Sequence, residues 1–338
     1  MSHIWLISAI LFAALLLLAW LHDARLRMAI RAGLPPAGIF VDTETARLHI
    51  VKKPSAQPQA GPPPIVLLHG SSGSAHDMML ALGDALSHES DVYSFDRPGI
   101  GRSVNLVSDR QMAAPEAQAR AVHEAVQKLG LQKPVIIGHS WGGAVAIAYA
   151  RLFADDMTGA VMLGAPFYPW AGPGSWYNRL VTKPVIGPLF THLVLTKYGL
   201  GQLDAGVAGN FFPEKVRPDY KEKSGLAAIL QPKPFIANAV YSLQLSQDLA
   251  KMQHDYARIT APLLLVTGNR DQTVNAKRNS VRLHESLPQS ALIYLRGVGH
   301  MLHHTQTAII AEAVTGLART GRVRAGRTDI DIAEKPAS

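Results

Sequence analysis

The sequence predicts an α/β fold: a mostly parallel sheet covered by helices on both faces, interrupted by a helical insertion and preceded by a transmembrane helix. Three observations carry that expectation. Short apolar runs, such as Ile65-Val66-Leu67-Leu68 and Leu263-Leu264-Leu265-Val266, alternate with helical stretches, the pattern of strands buried on both faces. The alternation lapses between residues 166 and 250, where no strand pattern occurs and aromatic residues gather. Ile4 to Leu21 is apolar throughout except for Ser8.

In chain order, the 18 residues from Ile4 to Leu21 come first. As a helix they span roughly 27 Å, near the lower limit for a hydrocarbon core. Neither a basic n-region nor a convincing A-x-A site accompanies them, so residues 4–21 read as a membrane anchor rather than a removed signal peptide. Arg25, Arg27 and Arg31 follow the span. The positive-inside rule therefore places the rest of the chain in the cytoplasm, as a single-pass protein of a bacterial inner membrane.

Pro35 and Pro36 end any helix begun near Arg25, and residues 38–318 are expected to form one α/β domain. Ile39 to Val51 reads as two strands, and Pro54 to Pro64 as a loop. Strands follow at 65–68, 92–95, 135–137 and 160–163, with helices at 75–88, 113–129 and 144–152. After the insertion come a strand at 263–266, a helix at 276–287, a strand at 291–295 and a last helix at 303–318. The polar stretch 321–338 is expected to be disordered.

Composition narrows the chemistry. With no cysteine, a thiol nucleophile, disulfides and thiolate metal sites are excluded. The net charge of +8 is concentrated at the two ends, at Arg25, Arg27 and Arg31 and again at Arg319, Arg322, Arg324 and Arg327. Neither group is interleaved with aromatics, so nucleic acid is rejected as a partner and membrane lipid preferred.

Gly138-His139-Ser140-Trp141-Gly142-Gly143 joins a predicted strand to a predicted helix. G-x-S-x-G in that setting forms a strained turn that raises the serine above the sheet, beside a helix N-terminus where negative charge is stabilised. A serine needs a base, and the base an orienting acid. Asp271 follows the strand ending at Val266, and His300 follows the strand ending at Leu295 with two nearby glycines before it. All three sit at carboxyl ends of strands, where ligands bind in an open parallel sheet. His69-Gly70-Ser71-Ser72-Gly73 follows another such strand. Asp96 to Ser103 reads as a structural turn bracing that loop. His303 and His304 complete an H-x-x-H-H run without a carboxylate at useful spacing. They read as surface histidines of a helix face, and no metal or cofactor is expected.

These motifs, H-G-x-x-G, D-R-P-G-x-G-x-S, G-H-S-W-G-G, G-x-x-D-x-x-V and G-x-G-H in this order, resemble the α/β-hydrolase superfamily, in its capped serine esterase or proline iminopeptidase type. The resemblance covers residues 40–317. It implies a nucleophile–acid–base triad of Ser140, Asp271 and His300, with an oxyanion hole from the backbone N–H groups of Ser71 and Trp141. It implies that residues 166–250 form a cap over the site; the apolar character of that insertion suggests a hydrophobic small-molecule ester as substrate, though any one of its aromatics could equally pack the core. Serine at the elbow argues against haloalkane dehalogenases and epoxide hydrolases, which use aspartate there. An amidase or aminopeptidase, for which Glu214, Asp219 and Glu222 are the available acids, and a C–C hydrolase are the enzymatic alternatives. A non-catalytic, membrane-tethered binding module is the alternative of another class.

Overall fold

The computed structural model describes residues 2–36, 38–57, 61–172 and 174–332. Ten strands form one sheet: β1 (Ile39–Asp42), β2 (Ala46–Lys53), β3 (Ile65–Leu68), β4 (Val92–Phe95), β5 (Val104–Asn105), β6 (Val135–His139), β7 (Gly159–Leu163), β8 (Leu263–Gly268), β9 (Ala291–Arg296) and β10 (Gly326–Asp331). Their order is β1-β2-β4-β3-β6-β7-β8-β9-β10, with β5 paired to β2. From β4 to β10 every pairing is parallel, whereas β1, β2 and β5 join antiparallel.

The central strands β3, β6 and β7 are buried at every position. Their alternate side chains feed two cores, one on each face: Val66, Leu68 and Ile136 on one, Ile65, Leu67 and Ile137 on the other. The expected strands and helices appear within a few residues of their predicted limits; the two-residue β5 carries too little pattern to be seen in advance.

Three expectations are corrected. The helix of the apolar run does not stop at Leu21, because one helix, α1 (Ser2–Gly33), continues through Arg25, Arg27 and Arg31. Its second half docks on the insertion: Asp23, buried, accepts from Thr196 N–H at 3.2 Å and pairs with Arg27, while Arg31 Nε donates to Gln231 Oε1 at 3.1 Å. Arg31, read as facing lipid, thus holds α1 to the protein, and Arg27 Nη1 reaches His192 O at 3.5 Å. The polar tail is not uniformly disordered either. β10 adds to the sheet edge in parallel register, Gly326 opposite Ala291 through Asp331 opposite Arg296. Arg296 pairs with Asp329 at 2.8 Å, and Arg327 lies 4.3 Å from the Tyr294 ring centre. An edge strand buries little, so ionic and cation–π contacts replace an apolar pattern. Residues 333–338 of the predicted tail lie outside the described residues. The third correction, at His303 and His304, belongs to the site.

Candidate active site

Ser140 stands between β6 and the helix Trp141–Leu152 with φ 50° and ψ −120°, a left-handed conformation that costs a non-glycine residue of order 1–3 kcal/mol. The turn is held by Ser140 N–H donating to Leu163 O and Gly143 N–H donating to Ser140 O, both at 2.8 Å. It closes this tightly because nothing larger than hydrogen fits at Gly142, where a Cβ would come within 2.6 Å of His69 O. Trp141 opens the helix, so its N–H has no intrahelical acceptor and is available to a ligand.

The loops after β8 and β9 bring Asp271 and His300 together. His300 Nδ1 donates to Asp271 Oδ2 at 2.7 Å, with both side chains buried. Asp271 Oδ1 accepts from the N–H groups of Thr273 and Val274, each at 2.8 Å, which fixes the carboxylate. That arrangement commits Nδ1 to the acid and leaves Nε2 of His300 as the free lone pair. Ser140 and His300 line one cavity of about 270 Å³, together with Gly70, Ser71 and Ser72. A wider opening beyond it is lined by Ser71, Ser140, Trp141 and Thr273. The structure therefore gathers all five residues singled out in the sequence around Ser140. No direct Ser140–His300 hydrogen bond is formed among the described residues.

The loop after β3 is braced by the Asp96–Ser103 turn, as the sequence suggested. Arg97, fully buried, donates from Nε to His69 O at 2.9 Å and from Nη2 to Gly70 O at 3.2 Å, and its guanidinium lies 4.3 Å from the Trp141 ring centre. Burial lowers this guanidinium to about 9. His69 accepts Arg97 N–H at Nε2 and gives its Nδ1 proton to Gly70 O. This neutral tautomer matches its pKa of about 4, lowered by burial and then by Arg97. Asp96 accepts from Ala75 N–H, Arg102 N–H and His49, tying the turn beneath the same loop.

The insertion covers this edge of the sheet. Asn238 in the helix Pro232–Met252 accepts from Ser71 Oγ and Ser72 N–H, each at 3.0 Å. Tyr241 OH donates to Pro98 O at 3.1 Å, and Glu214 accepts from Gly299 N–H. Among the aromatics noted in the sequence, Tyr177 and Phe211 face the cavity, Trp170 the outer opening, and Phe167 is core. Sequence reasoning missed Asn238, whose amide carries no motif.

His303 and His304 are not surface residues. His303 is fully buried and the His304 side chain is 1% exposed. The carboxylate missing from their own segment is supplied by Asp77: His304 Nε2 donates to Asp77 Oδ1 at 2.8 Å, and His303 Nε2 lies 3.8 Å from Oδ2. The spacing in sequence, 227 residues between Asp77 and His304, hid this partner.

Sheet order and the strand–turn–helix at Ser140 are those of an α/β hydrolase. The chain belongs to the Alpha/beta hydrolase family, whose model matches residues 65–313. It is 32% identical over 260 residues to a proline iminopeptidase of Saccharolobus solfataricus, covering 70% of this chain and 78% of that one. Among solved structures, an esterase from Exiguobacterium antarcticum superposes with a TM-score of 0.65 at 18% identity, covering 84% of this chain and 100% of the other. A bacterial membrane phospholipase A superposes with a TM-score of 0.61 at 18% identity, covering 95% and 99%. At such identities these two likenesses speak for the fold.

Proposed function

We propose that this hydrolase is a serine enzyme that cleaves a carboxylic ester with an apolar substituent through an acyl-enzyme. The observation that carries the reading is the 2.7 Å His300–Asp271 pair opening on the same cavity as a strained Ser140. Ser140 Oγ attacks the ester carbonyl while His300 Nε2 takes its proton, and Asp271 holds the imidazole by Nδ1. The carbonyl π pair moves onto oxygen, which the N–H groups of Trp141 and Ser71 stabilise; each such donor is worth ~2.7–4 kcal/mol in comparable sites. Collapse expels the alcohol, which receives the proton from His300. Water then repeats the sequence and frees the acid. Val207, Phe211, Leu226 and Met301 give the inner cavity an apolar wall suited to an acyl chain.

The amidase alternative requires an acid facing the substrate amine. Glu214 instead holds Gly299 N–H and Asp219 is paired with Arg217 and Lys223; neither they nor Glu222 line the cavity, and Asp77, which does, is engaged by His304. At the outer opening Glu285 is outnumbered by Lys277, Arg278 and Arg282. A screen of aryl esters by acyl length beside aminoacyl amides tests the reading: esters should dominate, and preferential cleavage of amides would replace it.

The same reading makes Ile4–Leu21 an anchor. α1 is long and apolar enough to cross a membrane, and Ile4, Trp5, Leu6 and Phe12 are each at least 60% exposed, a state that water would penalise and lipid would not. By the positive-inside rule, the arginines after the span favour a catalytic domain on the cytoplasmic side of the inner membrane.

A further inference from the structure

Beside the inner cavity, three ligand-type side chains converge from distant parts of the chain. Asp77 comes from the helical segment 75–86, and His303 and His304 from the short helix Leu302–Thr305. One donor atom from each lies within 4.8 Å of the others. We propose that Asp77, His303 and His304 bind one divalent transition-metal ion of the zinc type.

The Asp77–His304 pair alone leaves the cluster unfinished. Both ring nitrogens of His303 and Nδ1 of His304 are buried without a hydrogen-bond partner. Leaving buried polar atoms unpaired is costly, so a buried site seldom retains three together. A cation accepts a lone pair from each imidazole and from the carboxylate, and it neutralises the buried Asp77. Tetrahedral zinc, with bonds of about 2.0–2.2 Å, sets its donors about 3.3 Å apart. His304 Nε2 lies 2.8 Å from Asp77 Oδ1 and His303 Nε2 3.8 Å from Oδ2, with one donor from each residue within 4.8 Å of the others, so the side chains would close around an ion by rotation. Two imidazoles and one carboxylate select zinc-like ions over magnesium or calcium, which prefer all-oxygen sets. Asp77 lines the inner cavity, the side from which an ion would reach the cluster. The His303 ring lies 4.0 Å from His139, whose ring lies 4.7 Å from His300, so the ion would sit two imidazoles from the proposed base.

The test uses the full chain in detergent after chelation, carrying Ser140→Ala so that binding is read without turnover. Titration with Zn²⁺ should show one saturable ion per chain and a raised Tm. Co²⁺ should give the absorption of a four-coordinate site, displaced by Zn²⁺. Asp77→Asn combined with His304→Gln should weaken binding by about 100-fold or more, given that even outer-sphere partners of a metal are worth roughly 10–100-fold. Absence of saturable binding by folded protein, or equal binding by the double variant, overturns the proposal. If that variant does not fold, X-ray absorption of the zinc-loaded protein decides: two imidazoles in the shell support the site, and a shell of oxygen alone refutes it. Serine labelling is read separately, so either result leaves the hydrolase reading to stand or fall by itself.

Discussion

Adding one methyl group at Gly142 should disable the enzyme without unfolding it. A Cβ there would lie 2.6 Å from His69 O and 2.8 Å from Leu68 C, and closer still to Leu68 O, where real Cβ atoms essentially never come within 3.0 Å. These are backbone atoms at the end of β3, inside the sheet, so no side-chain rotation relieves the clash. The helix Trp141–Leu152 must instead retreat, on the order of half an ångström to one ångström, carrying Trp141 N–H and Ser140 with it. Overpacking of this kind costs about 1–3 kcal/mol of stability, while a displacement of that size at a reacting centre costs about 100-fold in rate. Gly142→Ala should therefore lose about two orders of magnitude in kcat/KM on an aryl ester while Tm falls by several degrees. Gly316→Ala is the control, since a Cβ there meets nothing within 4 Å and the site is helical. It should keep full activity and gain about 0.5–1 kcal/mol. A Gly142→Ala enzyme with the native rate would refute the claim that this close approach positions the elbow.

Three further outcomes follow, two of them from buried contacts. His69 is held neutral in the folded state at about 4, below its ordinary value, so the unfolded chain binds its proton first as pH falls. Its contribution, about 3 kcal/mol from a shift of this size, is present above pH ~6.5 and lost progressively toward pH ~4. His139, also lowered by burial, acts in the same direction. Denaturant midpoints should fall across that window, and a His69→Gln variant should show a flatter profile; a wild-type midpoint unchanged from pH 7 to pH 4.5 would contradict the buried neutral tautomer. The full chain should remain in the membrane fraction through high salt and carbonate, because lipid burial of an apolar helix is not screened. Removal of residues 1–21 should release a stable protein, whereas removal of residues 1–34 should lower Tm, because it also strips Asp23, Arg27 and Arg31 from the insertion. Equal stability of the two would mean the docked half of α1 contributes nothing.

What could be read in advance follows from what local sequence encodes. Strands such as Ile65–Leu68 are buried on both faces and announce themselves as apolar runs, and each predicted site residue directly follows one of them. β10 was invisible because its stability comes from ionic contacts to β9, which polar residues make as readily as disordered ones. The docking of α1 was invisible because Thr196 and Gln231 are contacts across more than 170 residues. The Asp77 cluster failed for the same reason: helical spacing reveals ligands on one element, and this carboxylate arrives from another.

The central claim, that Ser140 is an activated nucleophile served by His300 and Asp271, is tested most directly by reaction with a fluorophosphonate probe, which captures a serine only where a base and oxyanion donors assist it. The full-length protein in detergent should be labelled at one site, and peptide mapping should place the adduct on Ser140. Ser140→Ala should abolish labelling with the fold intact by Tm. Undiminished labelling of that folded variant, or an adduct mapped to Ser71 or Ser72, would contradict the account.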